Sequence, residues 1–103
     1  MIVKIILSPI NGKRFRAYIK RNNGQLEFHD FGFKGAKTYI DGRTEQDRTN
    51  YLARHMGNKT EEQLINNLVP SPSLLSAFLL WGRSRNLASN VKYLNSLWKK
   101  EHK

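Results

Sequence analysis

Residues 13–32 read KRFRAYIKRNNGQLEFHDFG, and the fold turns on this stretch. Phe15, Ala17 and Ile19 alternate with Arg14, Arg16, Tyr18 and Lys20, the period of a strand with one buried face. RNNG at 21–24 is a turn signal, and beyond it Leu26 and Phe28 alternate with Glu27 and His29. The stretch is therefore a hairpin. Upstream, residues 2–8 are rich in β-branched side chains and stop at PING, 9–12, whose Asn-Gly pair marks a second tight turn. A first strand thus precedes the hairpin, giving an antiparallel meander of about three strands.

The chain then changes period. Gly32, Gly35 and Gly42 punctuate a loop with one short extended piece around residues 37–40. Thr44 with Asp47 forms a capping box, Tyr51, Leu52 and His55 or Met56 give an apolar side, and Gly57 sits just past a helix end. Thr60 with Gln63 repeats the signature ahead of Leu64, Ile65, Leu68 and Val69, and PSP at 70–72 stops that helix. Ser73 is placed to cap residues 74–81, LLSAFLLW, which are apolar nearly all round and predict a central buried helix ending at Gly82. Ser89 precedes a last helix in which Val91, Leu94, Leu97 and Trp98 make one stripe, with Lys92, Lys99 and Lys100 elsewhere. Strands followed by helices predict an α+β fold, with three to four helices packed on one face of the small sheet. Residues 1–103 make one domain, mainly β over 1–40 and mainly α over 44–102; no internal repeat interrupts this order.

At 103 residues there is material for one modest core. The absence of cysteine excludes a disulfide framework and a thiolate zinc site. Lys4 interrupts the apolar start and no cleavage signature follows it, so secretion is not expected. The run at 74–81 is far shorter than the roughly 20 residues of a membrane span. Net charge is +10, concentrated at the ends: residues 1–22 carry six bases and no acid, and residues 81–103 carry six bases against Glu101. Such an excess predicts an anionic partner, either nucleic acid or an acidic protein surface.

Arg54 and His55 fall in the last turn of a predicted helix, where cations interact favourably with the carbonyl end. The sequence identifies neither a nucleophile nor an orienting acid for His55, so the pair reads as a helix end. His29, His55 and His102 lack metal-ligand spacing. Glu27, Asp30 and Asp41 are the acids that nuclease chemistry with magnesium would need, but they read as counter-charges in a basic protein. The glycines at 32, 35 and 42 lack both phosphate-loop and dinucleotide spacing. No catalytic set, cofactor, metal or small-molecule substrate is therefore expected. The anion-binding candidates are Arg14, Arg16, Tyr18, Lys20 and Arg21 on and after the second strand, with Arg83, Arg85, Lys99 and Lys100 near the carboxy terminus. Their structural alternative is a solvated face with a cross-strand arginine–glutamate pair, Glu27 or His29 lying on the neighbouring strand. Trp98 reads as core.

FHDFGFKGAKTYI at 28–40, YLARH at 51–55 and FLLWG at 78–82 stand in this order. The chain thereby resembles an uncharacterised family of short basic proteins encoded by giant nucleocytoplasmic DNA viruses, the mimivirus and chlorovirus relatives, over about residues 15–82. The matching positions are Phe31 and Gly32, Tyr51 with Arg54 and His55, and Leu80 with Trp81, which we take as structural. EEQLINNLVPSPS at 61–73 departs from the family pattern, where a tryptophan and a glycine-rich turn are usual. The resemblance implies a viral origin and transfers no activity.

Two functions from different classes follow. The favoured one is a non-enzymatic virion component, a minor capsid or cement protein bridging larger viral subunits. The alternative is a nucleic-acid-binding protein that coats or packages viral DNA; a metal-dependent nuclease is third. Each places the protein in the virion or the interior of the infected cell.

Overall fold

The computed structural model describes residues 1–101. Strands β1 (Ile2–Leu7), β2 (Lys13–Lys20) and β3 (Leu26–Phe33) form the expected meander, in the order β1-β2-β3. β2 and β3 stay in register from Lys20 opposite Leu26 to Lys13 opposite Phe33. β1 slips between Ile2 and Lys4, a bulge that puts Lys4 and Ile6 opposite Tyr18 and Arg16.

The alternation in β2 holds, with Ala17 and Ile19 buried. In β3 the two sides separate as the pattern predicts, but Leu26 and Phe28 lie on the open one, while Phe31 on the other is fully buried. Phe28 pairs with Tyr18 and Leu26 with Lys20, whereas Glu27 and His29 stand opposite Ile19 and Ala17. Register outranks hydrophobicity here, because a strand cannot turn one side chain over without turning all of them.

Four helices follow: α1 (Glu45–Met56), α2 (Lys59–Asn66), α3 (Pro72–Leu75) and α4 (Leu87–Glu101). α1 starts at the predicted box: the Asp47 N–H donates to Thr44 Oγ1 at 3.1 Å and the Thr44 N–H donates to Asp47 Oδ2 at 3.2 Å. The other starts differ. Asn58, not Thr60, caps α2 by accepting the Glu61 N–H at 3.1 Å. Ser71, not Ser73, caps α3 by accepting the Leu74 N–H at 3.2 Å, with Pro72 in the first turn where a missing N–H costs nothing. Asn86 accepts the Ser89 N–H at 2.9 Å, so α4 begins ahead of Ser89. The extended piece expected around 37–40 is replaced by a 3-10 turn, Tyr39–Asp41. Asp41 ties this turn down by accepting from both the N–H and the hydroxyl of Thr38 at 2.9 Å. His102 lies outside the described residues.

Beyond Leu75 the chain widens into a π-helical turn, Ser76–Leu80, which carries Leu79 and Leu80 into the core. There they meet Ala17, Ile19 and Phe31 from the sheet and Leu94 and Trp98 from α4. The helices thus cover one sheet face and leave the other open. No helix among the described residues is long and apolar enough to cross a membrane.

Asn90, 1% exposed, staples the two halves of the helical layer. Its amide donates to the carbonyls of Leu79 at 2.9 Å and Ser84 at 2.8 Å, and its oxygen accepts the Ser84 N–H at 3.0 Å. Gly82 makes room for it, since a Cβ there would sit 2.8 Å from Asn90 Cγ and 2.0 Å from the Phe78 carbonyl oxygen. Asn90→Ala would leave buried backbone groups without partners and is expected to cost about 3 kcal/mol. Urea denaturation should report this as a lower midpoint with an unchanged slope.

Candidate functional site

The nine predicted anion-binding residues do not converge. Arg16, Tyr18 and Lys20 share the open sheet face, but Arg16 is held by Asp30 through Nε at 3.1 Å and Nη2 at 3.2 Å. Asp30 also accepts from the Ser8 hydroxyl at 2.6 Å, and the Arg16 bond holds its carboxyl below the usual carboxylate range. Arg14 makes a two-pronged bond to Asp41 at 2.5 and 2.7 Å. Arg21 pairs with Glu27, whose carboxyl is likewise lowered, and the second Glu27 oxygen meets His29 Nε2 at 3.1 Å. Arg83 stacks 4.4 Å over Tyr93 and Arg85 4.3 Å over Tyr39. Lys99 and Lys100 are exposed at the end of α4. The acids considered for magnesium each carry an arginine of their own, and no three histidine or acidic side chains among the described residues group as metal ligands.

The arginine bonds do not remove the open face as a surface. Leu26 is 65% and Phe28 50% exposed, Tyr18 lies 6.0 Å from Phe28, and Arg16 stacks 4.0 Å above the Phe28 ring. Lys4 and Lys20 are exposed on the same face.

By contrast, the residues of the three short motifs come together. Gly32 has φ +76°, and a Cβ on it would lie 2.9 Å from Leu80 Cδ1 and 3.2 Å from Arg14 Cβ. The phenylalanine-glycine of β3 thus meets the aliphatic run after α3, at a place where only glycine is comfortable. Trp81, the next residue, stacks on Tyr51 of α1 with ring centres 4.5 Å apart and planes 9° apart. Tyr51 meets His55 at 4.1 Å, and burial raises the Tyr51 hydroxyl above its ordinary range. Arg48, one turn ahead of Tyr51, donates Nε to the carbonyls of Trp81 and Gly82 at 3.0 and 2.9 Å, fixing α1 against the end of the π turn.

Gly32, Tyr51, Arg54, His55, Leu80 and Trp81 together line a cleft of about 500 Å³, with Phe31 in the core nearby. His55 Nδ1 meets Glu61 Oε2 at 2.8 Å, and the other Glu61 oxygen accepts from the Ser73 hydroxyl at 3.3 Å. A histidine with an orienting acid was not legible in the sequence. The break at Gly57 and Asn58 turns α2 back so that Glu61 reaches α1, and the only local signal for it is the Asn58 cap.

Asp41 provides a measure of the sheet's ion pairing. The Arg14 guanidinium, followed by the Thr38 bonds, lowers its carboxyl from 3.8 to about 2. Its stabilisation is complete above the unfolded value and disappears as pH falls from about 4 to about 2, up to roughly 2 kcal/mol. Asp41→Asn should therefore be less stable at pH 7 and lose less stability on acidification over that window, as read from urea midpoints at successive pH values.

Residues 3–55 match the family of unknown function DUF5754. An uncharacterized protein of Acanthamoeba polyphaga mimivirus is 34% identical over 80 residues, which are 77% of this chain and 80% of that protein. No solved structure matches. With the family match running from β1 to His55 and the viral relative covering most of both chains, this protein belongs to the DUF5754 family.

Proposed function

We propose that this chain is a non-enzymatic viral protein that docks on a larger protein subunit through the open face of its sheet, as a minor capsid or cement component bridging subunits of the particle. The observation that carries this reading is the chemistry of that face. Leu26 and Phe28 stand exposed beside Tyr18 and Ile6, and the arginine among them, Arg16, is already neutralised by Asp30. Apolar side chains around a neutralised arginine gain from being covered by protein, whereas a nucleic-acid backbone is held by free cations. Lys4 and Lys20 add a cationic fringe that suits an acidic subunit surface. The mimivirus relative supports the viral context of this reading. The site of action is then the particle and the interior of the infected cell.

The coating or packaging of viral DNA remains the second reading, favoured by the net charge of +10. The two separate on a salt series. If DNA is the partner, affinity for duplex should fall by orders of magnitude between about 50 and 200 mM salt. On the docking reading, duplex binding is weak even at 50 mM and the protein is found at fixed stoichiometry in nuclease-treated particles. Leu26→Glu with Phe28→Glu, both on exposed positions, should then remove it from particles without unfolding it. Retention of the double variant in particles would defeat the proposal.

A further inference from the structure

We propose that the cleft between the end of β3 and α1 binds a nucleotide, its phosphate held by Lys37, Arg54 and His55 and its base laid on Phe33. This site shares no residue with the open sheet face and does not depend on that reading.

Cationic side chains outnumber acidic ones in the cleft. Lys37, Arg43 and Arg54 all line it, and Asp47 is the single carboxylate there. Asp47 is already committed, to the Thr44 cap and to Arg43 at 3.5 Å. Lys37 and Arg54 have no ion pair among the described residues. Cations left unpaired around a concavity focus potential into it and favour an anion. Thr38, Asn50 and Ser76 add neutral hydrogen-bonding groups to the wall.

His55 is oriented for the same task. A carboxylate accepts, so the 2.8 Å contact with Glu61 puts a proton on Nδ1 and leaves Nε2 for a ligand: the imidazolium donates from Nε2 to a phosphate oxygen, and the neutral ring accepts there from a phosphate O–H. The Ser73 hydroxyl on the other Glu61 oxygen holds that carboxylate in place. The Tyr51–Trp81 stack also lines the cleft.

The aromatic at the lip narrows the class of anion. Phe33 is 69% exposed at the end of β3, lines the cleft, and has Lys13 Nζ 5.2 Å from its ring centre. An exposed ring beside phosphate-binding cations is the pairing that holds a base and its phosphate. A cleft of about 500 Å³ takes a unit of that size. Duplex DNA cannot enter it with paired bases, so the ligand is a free nucleotide or one unit of a single strand.

The test is titration of the full chain with AMP, inorganic phosphate and a single-stranded oligonucleotide of about eight nucleotides, followed by amide and indole NMR shifts. Saturating shifts at Gly32, Asn50, His55 and the Trp81 indole are expected with AMP and with the oligonucleotide. An oligonucleotide bound at least tenfold tighter than AMP identifies a strand as the source, and the reverse order a free nucleotide. Arg54→Ala, at an exposed position, should weaken binding about tenfold, while Lys92→Ala, the same charge change on α4, should leave it unchanged. Phe33→Ala should weaken AMP and leave inorganic phosphate unaffected. Shifts spread over all basic surfaces, equal loss from Arg54→Ala and Lys92→Ala, or no saturation with either nucleotide probe by about 10 mM would overturn the proposal.

Discussion

The architecture depends on the approach of Leu80 to Gly32. Any side chain at position 32 would press on Leu80 Cδ1 at 2.9 Å, and the backbone there has a positive φ that disfavours one in any case. Because β3 yields at this point, the π turn can settle on the end of the sheet. Trp81 is then in place to stack on Tyr51, and Arg48 can reach the carbonyls that end the turn. One missing Cβ thereby sets the position of α1, and with it the cleft. The three short motifs, distant in sequence, are parts of this single joint.

Local rules made most of the fold legible. Alternation in 13–20, the two Asn- and Gly-bearing turns and the Thr44 capping box fix the meander and α1 because each acts within a few residues. The missed helix starts have a local explanation too. Asn58, Ser71 and Asn86 each stand two or three residues ahead of the serine or threonine that the pattern pointed to, and the earlier cap wins by taking the N–H first. What could not be read was which face of β3 is covered. Leu26 and Phe28 look like core in any window, yet pairing with β2 places them opposite Lys20 and Tyr18.

The candidate site was legible only in pieces. Arg54 and His55 stood out, but Glu61 comes from the next helix, and Gly32 and Leu80 are brought together by the tertiary fold alone. The charge reading met the same limit. Summing charges along residues 1–22 finds six free bases, whereas Arg14, Arg16 and Arg21 find acids 27, 14 and 6 residues away. Net charge survives such pairing unchanged, but the set of groups free to meet a partner does not.

The pairing also follows residue type. Every ion pair among the described residues uses arginine or histidine, and none uses lysine. The guanidinium's planar fork gives bidentate, directed bonds, so Arg14 and Arg16 act as geometric members of the sheet, fixing the 3-10 turn and the β2–β3 pair. An ammonium is a compact, strongly hydrated charge that gains little from one fixed partner, and the lysines among the described residues make no ion pair, all but the half-buried Lys13 being exposed. The long-range field of the protein is therefore chiefly a lysine field, reaching a Debye length of about 8 Å at physiological salt. In the roles proposed above, those lysines steer encounter with an acidic partner, while exposed carbon on the sheet face and the unpaired Arg54 and Lys37 of the cleft select what binds at shorter range.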